Sequence, residues 1–195
     1  PMGYVDDAEG LTREQSLVIR ALGAIKAQIP TALDIDANNN GIVDNVCFVL
    51  SGELEGGGNR VFWPHTTELP PQSVMINGED VRQYNVQMRE FVLSESSGGV
   101  AVLCHELFHS LGAPDLYRYS FTPPDPVGPW DLMAAPADPP VHMGAYMKYK
   151  YGGWITAMPT ISGPGTYTLF PLSSGRGCCY KISSPFSTEY YVIEY

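Results

Sequence analysis

The sequence predicts an α+β fold, with one helix-and-strand domain over residues 1–155 and a β-rich extension over 156–195. Three observations carry that prediction. Residues 11–29 space their apolar side chains as a helix does, and the short runs at 46–51 and 60–64 read as strands. After Trp154 the chain breaks into short β-like segments separated by Gly, Pro and Ser. A chain of 195 residues has room for one domain with a sizeable core and a small appendage.

The elements follow in order. LTREQSLVIRALGAIKAQI places Leu17, Ile19, Leu22, Ile25 and Ile29 on a helical stripe, Thr12 with Gln15 reads as a capping box, and Pro30 ends the segment. DIDANNNGIVDN is turn-rich, and VCFVLS at 46–51 reads as a buried strand. GELEGGGN is a flexible loop and RVFWP a short strand; VMINGEDVRQYNVQM sets an Asn-Gly turn between two strand-like runs. SESSGG supplies helix-start residues for a helix over 99–112. From Ala113 to Pro140 the chain is loop, and so long an irregular segment in a compact domain is usually functional. VHMGAYMKYKYG at 141–152 predicts another helix, and GTYTLFPL, CCYKIS and EYYVIEY predict strands. The last of these stops without a turn or cap, which reads as an extension cut short.

The formal net charge is −10, from 11 basic and 21 acidic side chains, with no Lys/Arg cluster. That argues against a nucleic-acid partner. No apolar run approaches the roughly 20 residues of a transmembrane segment. The acidic balance aids solubility and fits an extracellular or calcium-bearing protein. Cys47 and Cys104 lie in apolar segments and read as buried thiols. Cys178 and Cys179 are adjacent, and a bridge between them would be strained.

The chemistry concentrates in CHELFHSLGAPD, residues 104–115. On a helix, positions i and i+4 lie about 40° apart, so His105 and His109 share a face and can chelate one metal ion. Glu106 neighbours the first histidine and can act on a metal-bound water without being a ligand. An ordinary amphipathic helix is the plain alternative, and the residues that follow weigh against it. On a continuous helix Asp115 would lie about 9 Å beyond His109, out of the metal's reach. Gly112 can stop the helix and Pro114 cannot continue it, so the chain can fold Asp115 back as a third ligand. A glutamate third ligand is excluded, because no glutamate lies between Glu106 and Glu189. Asp131 and His142 remain alternatives. Three such ligands suit zinc, leave a fourth position for water and bring that water's pKa towards ~7. Glu106 would then be the general base, and Tyr117, Tyr119 and Tyr146 are candidate oxyanion stabilisers.

HELFHSLGAPDLY, followed by GPWDLMA and HMGAYMKYKYGGWI, resembles the immune inhibitor A family of secreted bacterial metallopeptidases. NNNGIVDNVCFVLSG, VFWPHT and the tail GTYTLFPL…EYYVIEY are similar to that family too, so the likeness spans residues 30 to 195 or so. The resemblance implies a zincin/metzincin-like catalytic domain with a twisted sheet, an active-site helix and a Met-turn. It implies a zinc endopeptidase with His105, His109 and Asp115 as ligands, Glu106 as base and Met133 as the Met-turn residue. Its substrates would be proteins or peptides. The family's first strand precedes the first helix, and nothing before Leu11 serves as one.

Two further signals stand apart. Asp36, Asn38, Asn40 and Asp44 occupy positions 1, 3, 5 and 9 of a candidate calcium loop, with Gly41 at 6 and the Ile42 carbonyl at 7. Position 12 is Cys47 rather than a bidentate glutamate, and an Asn-Gly turn explains the same letters. His65 is a lone histidine, expected to pack or to meet a backbone carbonyl rather than a metal. The competing functional readings are a non-catalytic metallopeptidase-like module that binds proteins, and a zinc hydrolase acting on another substrate.

Overall fold

The computed structural model describes residues 8–51, 63–94, 99–120, 123–174 and 176–195. Helix α1 (Ala8–Ile25) opens the fold and runs into one 3-10 turn at Lys26–Gln28. It starts before the expected capping box. Thr12 sits inside it, and its hydroxyl donates to the Ala8 carbonyl four residues back (2.7 Å) instead of capping an end.

The run at 46–51 forms strand β1 (Cys47–Leu50), but not a buried one: Val49 is 61% exposed and Cys47 is also exposed. The reason is position, because among the described strands β1 lies at one side of its sheet and pairs only with the central strand. GELEGGGN and the start of RVFWP lie outside the described residues. The strand there, β2 (His65–Glu68), begins after Pro64, which has no N–H for a ladder. Asn77 and Gly78 both take positive φ (51° and 104°) and join β3 (Met75–Ile76) to β4 (Glu79–Asp80) as the Asn-Gly signal predicts.

β5 (Gln83–Met88) is the central strand, parallel to β1 and antiparallel to β2. Its alternation divides the molecule. Tyr84 and Val86 join Val18 and Leu22 of α1 in the main core. Asn85 and Gln87, also fully buried, point to the opposite face. After α2 (Arg89–Val92), helix α3 (Gly99–His109) covers that second face, where Thr66 of β2 meets it.

One polar group is built into the main core. The Glu14 carboxylate accepts from the Tyr84 hydroxyl at 2.7 Å and lies 2.9 Å from His65 Nε2. His65 Nδ1 lies 2.6 Å from the Trp63 carbonyl. Burial alone would lower the His65 pKa; the bonds to Glu14 and Trp63 overcome it and raise the value.

The remaining elements are short. The helix expected over 141–152 is α4 (Ala145–Lys150), which starts where the Asp131 and Glu194 carboxylates take the N–H groups of Gly144 and Ala145. Strands β6 (Cys179–Ser183) and β7 (Tyr190–Glu194) form an antiparallel hairpin. GTYTLFPL is not a strand. The Phe170 and Leu172 N–H groups bond the carbonyls of Gly177 and Tyr195, and Leu172–Ser174 is a 3-10 turn. Met158, Cys178 and Cys179 of this tail pack on Ala145 of α4. All four cysteines are free thiols, with Cys104 half-buried. Among the described residues no helix is long and apolar enough to cross a membrane.

The core carboxylate is testable. Tyr84→Phe removes a donor from buried Glu14 while keeping the ring, so a loss of about 1–3 kcal/mol is expected in urea unfolding. An unchanged midpoint would mean that Glu14 does not depend on this hydroxyl.

Candidate metal centre

Helix α3 carries His105 and His109 on one face, their rings 4.9 Å apart and nearly perpendicular. Past His109 the helix tightens and stops. Gly112 adopts φ +84° and its N–H bonds the His109 carbonyl at 2.8 Å, a left-handed termination that a side chain would strain. The chain reverses there and brings Asp115 back, so that Asp115 Oδ1 lies 3.0 Å from His105 Nε2 and 3.3 Å from His109 Nε2. One ligand atom from each of the three residues lies within 4.8 Å of the others.

The outer contacts fix which atoms face inwards. His105 Nδ1 lies 2.9 Å from the Leu132 carbonyl and His109 Nδ1 lies 2.7 Å from the Ala113 carbonyl. A carbonyl only accepts, so each Nδ1 is the protonated nitrogen and each neutral ring turns a lone pair at Nε2 towards Asp115. The Tyr119 hydroxyl donates to Asp115 Oδ2. Asp115 Oδ1 is buried and has no hydrogen-bond donor of its own. Three lone pairs therefore converge, which is favourable only with positive charge among them: protons on the imidazoles or a metal ion. Two imidazoles and one carboxylate, each oriented by an outer hydrogen bond, are a donor set that fits a zinc-type metal.

The electrostatics agree. Burial would lower both imidazole pKa values, but Asp115 and the backbone carbonyls raise them. Burial would raise that of Asp115, yet His105, His109 and Tyr119 hold it well below the carboxylate range. The bond to Asp115, with burial second, pushes the Tyr119 phenol up to about 12.

The other sequence candidates fall into place around this cluster. Asp131 is buried, but its carboxylate accepts from Met133 N (2.8 Å) and Gly144 N (2.6 Å), away from the histidines. It organises a turn at 131–135 that offers the Leu132 carbonyl to His105 and the Met133 carbonyl to Leu116 N. Met133 is fully buried and packs with Phe108, Ala113 and Met147. His142 is exposed and lies beside Lys148. Tyr117 stacks on the His105 ring, whereas Tyr146 meets Tyr190 and Lys150. Glu106 is buried, and its Oε2 accepts from the Thr66 hydroxyl at 2.8 Å. Thr66 escaped the sequence reading because nothing in HTTE marks a threonine that meets a helix 40 residues later. In the 36–44 loop, Asp36 accepts from the N–H groups of Asn40 and Gly41, Asn40 from that of Ile42, and Asp44 from that of Ala37. Asn38 has no side-chain bond among those described.

An open cleft of about 600 Å³ leads to the cluster. Thr66, Thr67 and Glu68 of β2 line it, with His109, the Gly112–Asp115 stretch and Tyr119, and with Leu11 and Gln15 of α1. Strand β2 pairs only with β5 among the described strands.

In metal-free protein these ion pairs stabilise the fold most between the unfolded carboxylate and imidazole pKa values, about 3.9 and 6.5. That contribution is lost as pH falls through the depressed value of Asp115 or rises through the raised values of the histidines. A metal ion held by these residues would displace the imidazole protons. Metal binding is expected to release protons and to weaken from about pH 7.5 to about pH 5.5, as read by calorimetry in buffers of different ionisation enthalpy. Asp115→Ala should weaken binding by well over about 100-fold, and Tyr119→Phe by about 10-fold, in chelator competition. Parent-like affinity in Asp115→Ala would move the third ligand elsewhere.

The comparisons with known proteins bear on the same region. The family described as "Immune inhibitor A peptidase M6, catalytic domain" matches residues 32–147, more than half of the chain and including the whole cluster. A relative, immune inhibitor A of Bacillus thuringiensis subsp. alesti, is 27% identical over an alignment covering 57% of this chain. The alignment takes in 20% of that relative, so the chain spans about a fifth of its length. With a match of that extent, taking in the His105–Asp115 segment, the chain belongs to the immune inhibitor A (M6) peptidase family.

Proposed function

We propose that the chain is a zinc-dependent endopeptidase domain in which His105, His109 and Asp115 hold the metal and Glu106 is the general base. The observation that carries it is the convergence of two Nε2 lone pairs on the donorless Asp115 Oδ1. Zinc bound there would act as a Lewis acid on the scissile carbonyl and on the attacking water.

The protein's own groups do the rest. Glu106 takes a proton from the attacking water and passes it to the leaving amine. An extended peptide can pair with the outer edge of β2 beside the cleft, where backbone bonds bind a substrate without demanding one sequence. Gln15 Nε2 already donates to the Glu68 carbonyl at 2.8 Å, which sets where such pairing must stop. Tyr119 orients Asp115, and Tyr117, stacked on His105, is nearer than Tyr146 to the role of oxyanion donor.

The turn at 131–135, with Met133 in it, is proposed as the Met-turn of a metzincin-type fold, supported by its carbonyl bond to His105. We assign residues 1–155 to the peptidase domain and 156–195 to a β-rich extension, and place the protein outside the cell or on its surface. A calcium ion on the 36–44 loop has less support, since Asp36 and Asp44 already accept backbone N–H groups. Thermal stability that does not change when calcium is added would remove it.

The decisive experiment uses casein with the zinc-loaded chain. Glu106→Ala is expected to lose at least about 100-fold in turnover while keeping one zinc. Equal turnover in parent and variant would remove Glu106 from its role. A parent that binds zinc yet cleaves nothing would favour the alternative, a non-catalytic module that binds proteins.

A further inference from the structure

The contact between β2 and α3 carries an inference that rests on the proposed role of Glu106. The Thr66 hydroxyl lies 2.8 Å from Glu106 Oε2 and 3.0 Å from the Glu106 backbone carbonyl. It has one proton and faces two acceptors on the same residue. The carbonyl is open to it because the helix tightens here: Ser110 N donates to Leu107, three residues back. Glu106 itself is 7% exposed, so water does little to hold its carboxylate.

We infer that Thr66 is a positioning residue for Glu106, fixing the rotamer of its side chain from the neighbouring strand. While Glu106 is ionised, the hydroxyl donates to Oε2, where the charge makes that bond the stronger of the two. Oε1 is then the oxygen turned to the attacking water. The Glu106 backbone carbonyl is a second acceptor within reach of the same hydroxyl, so both contacts tie Thr66 to one residue.

The strand supplies the rigidity. Thr66 is held in register opposite Asn85, and Thr66, Thr67 and Glu68 line the cleft where a substrate strand would lie. The residue that steadies the base thus belongs to the strand that would seat the substrate, and the spacing between them is set by one backbone.

Thr66→Val keeps the β-branched shape and removes both bonds; Thr66→Ser keeps the hydroxyl. With a peptide substrate, Thr66→Val is expected to lower kcat about 10-fold with KM and zinc content unchanged, and Thr66→Ser to restore most of it. A parent-like kcat in Thr66→Val, or a KM effect alone, would overturn the inference. A second measurement needs neither metal nor turnover. In metal-free protein the Tm losses of Thr66→Val and Glu106→Ala should sum to more than that of the double variant. Additive losses would overturn the contact. An inactive parent would count against the proposed endopeptidase while the thermal cycle still decided on Thr66.

Discussion

The structure depends on keeping three electron-rich atoms together: the two imidazole Nε2 atoms and Asp115 Oδ1. Without a cation they repel, so each has to be held from outside. His105 is held by the Leu132 carbonyl, His109 by that of Ala113, and Asp115 by Tyr119. These restraints come from three separate pieces of chain: the turn at 131–135, the reversal after Gly112, and the segment that carries Tyr119. Each has its own support. Gly112 takes the left-handed conformation, and Asp131 closes its turn with bonds to Met133 and Gly144.

Support continues outward from that turn. Asp131 reaches Gly144 and Glu194 reaches Ala145, so the start of α4 is held by two carboxylates, one from the turn and one from β7. Met133, Phe108 and Met147 fill the space between the turn, α3 and α4. The C-terminal hairpin is therefore linked to the residues behind His105 through Glu194, Gly144 and Asp131. Loss of the Glu194 carboxylate would reach His105 through the placement of that turn.

How much of this was legible in the sequence depended on whether the signal was local. The i, i+4 histidines, the glycine stop and the returning Asp115 lie within eleven residues, and backbone geometry alone relates them. The Asn77-Gly78 turn was legible for the same reason. Burial was not. VCFVLS reads as a core strand, but its exposure depends on whether a second strand pairs with it, and that is decided elsewhere in the chain. Asp131 reads as a possible ligand because its type is right, and only the placement of Gly144 shows its carboxylate to be engaged. Thr12 reads as a cap until the helix is seen to start earlier.

The same distinction explains the polar residues on the two faces of β5. In YNVQM, strict alternation says that one face is apolar and the other polar, which normally means core and solvent. Here both faces are covered, and Asn85 and Gln87 are fully buried under α3. A polar face is costly to bury unless its groups find partners. Asn85 bonds Asn45 and Gln87, and beside them Thr66 bonds Glu106. A sheet face lined with amides and hydroxyls is poor ground for a purely structural helix, which would pack better on Val and Ile. It suits a helix whose inward face carries a buried carboxylate, because an apolar floor would offer Glu106 no donor. The polarity of that face matches what α3 carries: Thr66 of β2 meets Glu106, while Asn85 and Gln87 of β5 bond each other and Asn45.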